Sequence, residues 1–237
     1  MSTPFFNGAS LKISVIIPVY NEEATLREII RRVQEVPYEK EIILIDDFSC
    51  DSSRKILQEF AGQGGFKVLY HEINKGKGAA LRTGFTQVQG DIIIIQDADL
   101  EYDPSDYGPL LTPILDGRAD VVFGSRFLGG PHRVMFFWHY LGNKVLTTLS
   151  NMLTNLNLTD METGYKVFTR KVLESLHLKC DRFGFEPEFT SKVAKQNFRL
   201  YEVPISYSGR NYSQGKKITW KDGVAALWFI LKFRFFD

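Results

Sequence analysis

Aliphatic runs alternate with amphipathic segments through the first half of the chain. The runs carry apolar residues at nearly every position, which is typical of strands buried on both faces of a sheet. Five of them predict strands: KISVIIPVY, EIILIDD, KVLYHE, DIIIIQDAD and ADVVFGSR. The segments between them repeat apolar residues at helical spacing, as in the series Leu26, Ile29, Ile30 and Val33. This alternation predicts an α/β fold in which helices flank a mostly parallel sheet.

The second half of the chain has a less regular pattern. HYLGNKVLTTLSNMLTNLN predicts a long helix, TDMETGYKVFTR a loop, RKVLESL and EPEFTSKVAKQN two short helices, and RLYEVPISY a further strand. Near the start of the chain, Asn21 is a predicted helix cap, with Glu22 and Glu23 in the first turn of its helix. No internal repeat and no flexible linker divides the sequence.

The predicted strands end in polar, acidic or small residues. Ligands of parallel sheets bind at the carboxyl ends of the strands, so this edge is the predicted site. In IIIIQDADLE, Asp97 and Asp99 alternate along an extended chain, and Glu101 adds a third oxygen donor. Such a set suits a hard cation, Mg²⁺ or Mn²⁺, that also binds substrate phosphates. The alternative is that these carboxylates cap the next helix or face water in a loop.

Composition narrows the class of protein. The chain of 237 residues is long enough for one large domain, and its net charge of +1 provides no broad basic field for nucleic acid. Cys50 and Cys180 lack metal-ligand spacing, so two free thiols are expected. The first residues lack the regions of a signal sequence, and no stretch has the ~18 apolar residues of a membrane span. We therefore expect a cytoplasmic protein.

Six motifs in this order resemble the family 2 glycosyltransferases of the GT-A fold, and especially the dolichyl-phosphate mannose synthase and polyprenyl-phosphate glycosyltransferase group. They are SVIIPVYNEEATL, EIILIDDFSCDSS, NKGKGAALRTGF, IIQDADLEYDP, VVFGSRF and EVPISYSGRNYSQGKKI. Together they extend over nearly the whole chain. The resemblance implies a Rossmann-like catalytic domain over residues 1–218, followed by an amphipathic C-terminal helix over residues 219–237.

The resemblance also implies which residues form the site. Those expected to bind the nucleotide sugar are Pro18, Tyr20, Glu22, Ile45, Asp47, Asp97, Ala98, Asp99, Arg126, Arg210 and Lys216. Among them, Ile45 and Asp47 would hold the base and the ribose, and Asp97, Asp99 and Glu101 would bind the metal. Arg210 and Lys216 would close over the diphosphate; composition alone favours a solvated basic loop, and only the motif context reverses that interpretation.

Two departures from the family pattern leave the donor open. Phe48 stands where a small residue usually follows the paired aspartates, and Glu101 stands where the mannose synthases often have glutamine. The implied donor is therefore a GDP- or UDP-hexose, with mannose or glucose as the sugar.

The implied reaction transfers this hexose to a polyprenyl phosphate with inversion at the anomeric carbon. Asp99, through the metal, and Arg126 would stabilise the leaving diphosphate. A phosphate acceptor is already a nucleophile, whereas a hydroxyl acceptor needs a general base. Asp160 is the candidate base, but it is separated from Glu162 by Met161 where many hydroxyl-using relatives have an adjacent Glu–Asp pair, which favours a phosphate acceptor. Either carboxylate could instead orient substrate or cap a helix.

Two aromatic and basic stretches predict contact with a membrane surface. RVMFFWHY and TWKDGVAALWFILKFRFFD combine Trp and Phe with Lys and Arg, which is typical of interfacial helices. A lipid-linked acceptor would require such docking at the cytoplasmic membrane face. The alternatives for the C-terminal helix are packing on the domain and contact with a second copy or a membrane protein. Arg133, His139 and Lys144 are candidates for holding the acceptor phosphate, or simply helix-surface charges.

Two other functions are compatible with this pattern. One is transfer to a hydroxyl of a glycan or cell-envelope polysaccharide. The other is a non-catalytic subunit that binds nucleotide sugars, but the intact D-x-D and GRNYSQGKK segments argue against it.

Overall fold

A computed structural model describes residues 5–6, 9–129, 133, 136–182, 184–210 and 220–237. Its strands β1 to β9 are Phe5–Phe6, Ala9–Ser10, Ile13–Val19, Lys40–Asp46, Phe66–Tyr70, Ile92–Ile95, Val121–Ser125, Lys166–Thr169 and Leu200–Pro204. Its helices α1 to α8 are Leu26–Glu35, Ser53–Phe60, Lys77–Phe85, Tyr107–Leu115, Phe137–Thr154, Arg170–Ser175, Phe185–Lys195 and Trp220–Phe235.

In the described ranges, β3 to β9 form one seven-stranded sheet in the order β5-β4-β3-β6-β8-β7-β9. The pairs β5/β4, β4/β3, β3/β6 and β7/β9 are parallel, while β8 runs antiparallel to both of its neighbours. The prediction of a mostly parallel sheet flanked by helices is thus confirmed.

Alternate side chains of each central strand enter two different cores. Val15 and Ile17 of β3 face α1, α2 and α4, whereas Ile16 lies in the cluster formed with α3, α7 and α8. Because both faces are covered, no polar face is needed, and the four isoleucines of β6 are all completely buried.

Strand β8 is absent from the sequence prediction, which treated TDMETGYKVFTR as a loop. The strand is only four residues long and begins with Lys166, whose side chain is fully buried. The Lys166 ammonium is satisfied locally, because it donates to the carbonyls of Thr163 at 2.5 Å and Met161 at 3.3 Å. A charged residue in a central strand runs against the apolar pattern by which the other strands were predicted.

The predicted cap at Asn21 is also wrong. Helix α1 begins at Leu26, and Asn21 has a left-handed φ of 52°. Its side-chain oxygen accepts from the Cys50 amide at 2.8 Å, while its own amide donates to Ser49 Oγ at 3.0 Å. Asn21 therefore ties the segment after β3 to the segment after β4, and so fixes one wall of the cleft described below.

Helix α8 packs on α5 and α7 with one face only. Ala226, Ile230 and Phe233 are buried, and Ser191 Oγ donates to the carbonyl of Phe233 at 3.0 Å. The packing alternative for the C-terminal helix is therefore observed, although its outer face remains exposed. Among the residues that the structure describes, no helix has both the length and the apolar character needed to cross a bilayer.

Candidate active site

The carboxyl ends of the parallel strands bring the predicted residues to one edge of the sheet. Tyr20 follows β3, Asp47 follows β4, Asp97 follows β6 and Arg126 follows β7. Because β8 is antiparallel, the residues before it, around Asp160, reach the same edge. The Asp97 side chain packs closely on the segment before β8, because a Cβ on Gly164 would lie 2.3 Å from Asp97 Oδ2 and either side chain would then have to shift.

Arg210 gathers three carboxylates from two parts of the cleft. Its Nη1 and Nη2 donate to the two oxygens of Glu22 at 3.0 and 3.2 Å, and Nη2 also donates to Asp99 Oδ2 at 2.9 Å. Glu101 accepts from the Arg210 amide at 2.7 Å and from the Tyr207 hydroxyl at 2.8 Å. Although burial opposes the charge, Asp99 and Glu22 raise the pKa of the Arg210 guanidinium, so it stays protonated.

A second cation holds Asp97. Lys77, the first residue of α3, lies 2.8 Å from Asp97 Oδ1 and 3.3 Å from Glu186 Oε1 at the start of α7. Burial opposes the lysine charge, but Asp97 and Glu186 outweigh it and raise the pKa of Lys77. Neither Lys77 nor Glu186 is among the predicted site residues. A signal was present in NKGKGAAL, a glycine-flanked lysine between a strand and a helix.

The three predicted metal ligands are not gathered as one set. In the described residues, no group of three or more His, Cys, Asp or Glu side chains has the geometry to hold a metal ion. Asp97 faces Lys77, whereas Asp99 and Glu101 face Arg210. Asp97 and Asp99 alone still fit a hard cation, which in nucleotide sites is commonly bound by one or two carboxylates plus phosphates. Burial, with the charges of Asp97 and Glu101, raises the pKa of Asp99 to about 7, which marks an excess of negative charge.

Asp160 is bound to Arg126 and has no free oxygen. Arg126 donates to it from Nε at 2.6 Å, from Nη2 at 2.7 Å and from the backbone amide at 3.1 Å. Asn143 of α5 adds a bond to Oδ1 at 3.2 Å, and the Asp160 side chain is completely buried. In this arrangement all the acceptor positions of Asp160 are engaged, which fits a role in positioning Arg126 better than the predicted role as a base.

Glu162, two residues further along, has the opposite environment. Its Oε1 is buried without a hydrogen-bond partner. Burial, reinforced by the neighbouring charge of Glu186, raises the pKa of Glu162 to about 8, while Lys166 and Arg126 act in the other direction. Glu162 is therefore a carboxyl group that can hold or release a proton near neutral pH.

The residues predicted to bind the nucleotide divide into exposed and buried groups. Tyr20 and Phe48 are exposed at the ends of the adjacent strands β3 and β4. Phe48 has a left-handed φ of 66°, a conformation that bulky residues adopt rarely. Pro18, within β3, is half-buried beside Ile45.

Three of the predicted nucleotide contacts need correction. Ile45 is completely buried under α3, and the Ala98 side chain lies in the core, so neither side chain can line a pocket. Asp47 accepts from His71 Nδ1 at 2.7 Å, Asn74 Nδ2 at 3.0 Å and the amides of Lys75 and Gly76 at 2.9 and 2.7 Å. Its carboxylate thus orders the loop before α3 and has no acceptor site left for a ribose or base.

The predicted phosphate-binding residues Lys216 and Arg133 differ in what the structure describes of them. Lys216 lies outside the described residues. Arg133 Nη1 donates to the Gly209 carbonyl at 3.1 Å, which joins this arginine to the segment that carries Arg210.

Residues 14–176 match the profile of the family described as Glycosyl transferase family 2. An uncharacterized protein of Methanocaldococcus jannaschii is 29% identical over 211 residues, which cover 86% of this chain and 85% of that protein. The undecaprenyl-phosphate 4-deoxy-4-formamido-L-arabinose transferase of Proteus mirabilis is 29% identical over 212 residues, which cover 86% of this chain but 62% of the transferase.

The fold has close counterparts among solved structures. Glucosyl-3-phosphoglycerate synthase from Mycobacterium tuberculosis, in complex with Mn²⁺, UDP and glucosyl-3-phosphoglycerate, superposes with a TM-score of 0.74 at 20% identity. The superposition covers 94% of this chain and 80% of that one. At this identity the likeness shows the fold.

Proposed function

Because this chain belongs to glycosyl transferase family 2 and is a glycosyltransferase, we propose that it transfers a hexose from a UDP- or GDP-sugar to a polyprenyl phosphate. The proposal includes a divalent metal, Mg²⁺ or Mn²⁺, and a membrane surface from which the acceptor is taken. Residues 1–218 would form the catalytic domain, and residues 219–237 would contribute the surface that meets the lipid.

The observation that carries the donor half of the proposal is the distribution of charge at the sheet edge. Asp97 and Asp99 leave β6 side by side, and the cations Lys77 and Arg210 lie within 2.9 Å of them. The leaving group is a nucleoside diphosphate, whose negative charge grows as the bond to the sugar breaks. A bound divalent cation would neutralise part of that charge. Arg210 and Lys77 would stabilise the rest through charge-assisted hydrogen bonds.

The acceptor half rests on the state of Asp160. A phosphate monoester carries about −1.5 to −2 charge near neutral pH and can attack without a general base. The hydrogen bonds of Asp160 to Arg126 and Asn143 therefore favour an acceptor that needs no base. The Proteus relative, which is named for an undecaprenyl-phosphate substrate, supports the same acceptor class.

The membrane part of the proposal rests on an exposed aromatic face formed by α5 and α8. Its large apolar side chains are Phe137, Trp138, Val145, Val224, Trp228, Phe235 and Phe236, all more than half exposed. Lys232 and Arg234 of α8 are exposed as well, and α5 contains no acidic residue. Aromatic side chains with interspersed cations are the composition of helices that lie in the interface of an anionic bilayer.

A second candidate function is transfer to a sugar hydroxyl, and Glu162 favours it. A hydroxyl acceptor must lose its proton, and a carboxyl group with a pKa of about 8 is well matched to accept one. Replacement of Glu162 separates the two candidates. With a hydroxyl acceptor, Glu162→Gln should lower kcat by about 10²–10⁴-fold, whereas with a phosphate acceptor the loss should be far smaller.

The experiment that tests the main proposal is a donor and acceptor panel. The protein is incubated with UDP- and GDP-hexoses and Mn²⁺, and with either undecaprenyl phosphate or short oligosaccharides, while released nucleoside diphosphate is measured. We expect release that depends on undecaprenyl phosphate for one donor. Release that depends on the oligosaccharide instead would support the second candidate and contradict the first.

A further inference from the structure

Arg210 occupies the position at which the cleft concentrates negative charge. Glu22, Asp99 and Glu101 come from two separate segments, after β3 and after β6, and all three contact this one residue. The contacts are largely shielded from water, because the side chains of Arg210 and Asp99 are each only 17% exposed. Without a cation here, three carboxylates would face one another in a partly buried cleft, which is strongly unfavourable.

One of these carboxylates, Asp99, belongs to the Asp97 and Asp99 pair that would hold the metal in the proposed function, and Glu101 is the third predicted ligand beside it. Asp99 Oδ2 is bonded to the guanidinium at 2.9 Å, and both Glu101 oxygens are engaged, by the Arg210 amide and the Tyr207 hydroxyl. A divalent cation cannot approach Asp99 closely while the guanidinium stays, because two cations would compete for the same carboxylate and repel each other. The guanidinium therefore has to move when a metal binds.

The same guanidinium is well suited to a diphosphate. Its planar fork of N–H donors matches the spacing of phosphate oxygens, and such bidentate pairs are among the strongest charge-assisted hydrogen bonds. A nucleoside diphosphate therefore provides Arg210 with a replacement for the carboxylates that it gives up.

We propose that Arg210 is an exchangeable counter-ion of the metal site: a divalent cation takes over its carboxylates only as a nucleoside diphosphate takes over its guanidinium. This inference rests on the proposed function and adds a property to it, namely that each ligand binds weakly alone and tightly with the other. Part of this coupling between metal binding and nucleotide binding comes from the Arg210 side chain. Because coupling between two ligands is reciprocal, it can be measured from either side.

The test is binding, without turnover, of Mn²⁺ alone, of UDP or GDP alone, and of Mn²⁺ at saturating nucleotide, by calorimetry or Mn²⁺ electron paramagnetic resonance. We expect Arg210→Gln to bind Mn²⁺ alone about tenfold more tightly than the wild type, because no charge-assisted bond has to be displaced. In the presence of Mn²⁺, the same variant should bind the nucleotide more weakly than the wild type, because the guanidinium that would pair with the diphosphate is lost. The two affinities should thus change in opposite directions.

Arg199→Gln is the matched control. Arg199 also makes a bidentate pair with an aspartate, Asp120, but at the opposite edge of the sheet, before β7. Its replacement should leave both affinities unchanged. If Arg210→Gln does not fold, Arg210→Lys keeps the charge without the fork, and it should weaken nucleotide binding and leave the Mn²⁺ affinity near that of the wild type.

Unchanged or weaker binding of Mn²⁺ alone by Arg210→Gln would overturn the inference, because the arginine would then merely support the site. The coupling in the wild type is a second check, since equal Mn²⁺ affinities with and without nucleotide would also overturn it. Failure of the proposed function looks different: the wild type itself would bind neither Mn²⁺ nor a nucleotide.

Discussion

At the scale of single residues, four carboxylates at one sheet edge differ in the partners that they have. Asp97 is paired with Lys77, Asp99 with Arg210 and Asp160 with Arg126, whereas Glu162 Oε1 has no partner. The partner determines the chemistry: a paired carboxylate positions a cation, and a buried unpaired one retains its proton.

Glu162 makes the stability of the fold depend on pH. Its pKa is about 8 in the folded chain, against ~4.3 for an unfolded carboxyl. Between these values the folded state binds a proton that the unfolded state lacks, so stability is lost as the pH rises through this window. Glu162→Gln cannot ionise. Its melting temperature should therefore exceed that of the wild type by more at pH 8 than at pH 5, by ~2–4 °C for each ~1 kcal/mol of ionisation cost removed.

The measurement is thermal unfolding of both proteins from pH 5 to pH 8. Burial lowers the pKa of Lys166 to about 8. Well below that pH, Lys166 does not make stability depend on pH, because it is protonated in both the folded and the unfolded state. Glu174→Gln, at an exposed position of α6, is the control and should follow the wild type. A constant difference between Glu162→Gln and the wild type at every pH would contradict the assignment of a shifted carboxyl.

The sequence predicted the kinds of residue at the edge better than their contacts. The D-x-D motif after an aliphatic run predicted that Asp97 and Asp99 lie at the carboxyl edge of the sheet, because parallel strands end together. The sequence pattern does not show that Arg126 binds Asp160. The two residues are 34 positions apart, and the pairing of β7 with β8 brings them together. Ile45 was assigned to the pocket by resemblance, but the alternation of side chains along β4 turns it into the core.

At the scale of elements, the start of α3 is fixed by a tight contact with the segment before α7. The Ala79 amide donates to the Asp181 carbonyl at 2.9 Å, and Arg82 donates to the Cys180 carbonyl at 2.8 Å. This contact brings Lys77 of α3 to Glu186 of α7. The cleft therefore depends on how closely these two elements approach.

Gly78 allows that approach. A Cβ at this position would lie 2.3 Å from the Cys180 carbonyl oxygen, a backbone atom that cannot turn away as a side chain could. Gly78→Ala should therefore lower the free energy of unfolding by about 1–3 kcal/mol, the usual cost of overpacking. Urea-induced unfolding measures it.

Gly142→Ala is the control for this prediction. Gly142 is also in a helix, α5, but a Cβ there would meet no atom within 4 Å. Alanine should leave stability unchanged or raise it by up to about 1 kcal/mol, because it is the better helix former. Equal effects of the two substitutions would show that the close approach at Gly78 does not limit packing.

The elements that the sequence predicted well are those with regular patterns. The five aliphatic runs form β3, β4, β5, β6 and β7, and the residues Leu26, Ile29, Ile30 and Val33 form the buried side of α1. Helix α1 starts four residues later than its polar sequence suggested, because the side chains of Asn21 and Glu23 bond to the segment after β4. Such long-range contacts cannot be predicted from the local pattern of apolar and polar residues.

At the scale of the whole molecule, α5, one of the two helices that carry the aromatic face, lies beside the cleft. Asn143 of α5 donates to Asp160, and the Tyr140 ring packs edge-on against Phe127, the residue after Arg126. A bilayer bound to this face would therefore lie beside the cleft, where the head group of a lipid acceptor could enter it.

The double substitution Trp228→Ser and Phe236→Ser should weaken binding to vesicles that contain anionic lipid. Both side chains are largely exposed, at 58% and 76%, so their loss should not disturb the core. Co-sedimentation with vesicles measures the effect. Deletion of α8 would be a poor test, because Ala226, Ile230 and Phe233 of this helix belong to the packed interior.

Ile73→Ser is the control for the vesicle experiment. Ile73 is equally exposed, at 63%, but it follows the edge strand β5 on a different part of the surface. It should leave vesicle binding unchanged. Equal partitioning of the wild type and the double variant, both folded, would contradict the assignment of the aromatic face.

The central claim is that this glycosyltransferase joins a hexose to the phosphate of a polyprenyl lipid, and the most direct measurement is the identity of the product. Mass spectrometry of the lipid extract, after reaction of the wild-type protein with its preferred nucleotide sugar, Mn²⁺ and undecaprenyl phosphate, should show one hexose added to the lipid monophosphate. Arg210→Gln should form much less of it. A lipid that is unchanged, while the same donor is consumed by transfer to a glycan hydroxyl, would contradict the account and direct attention to Glu162 as the base.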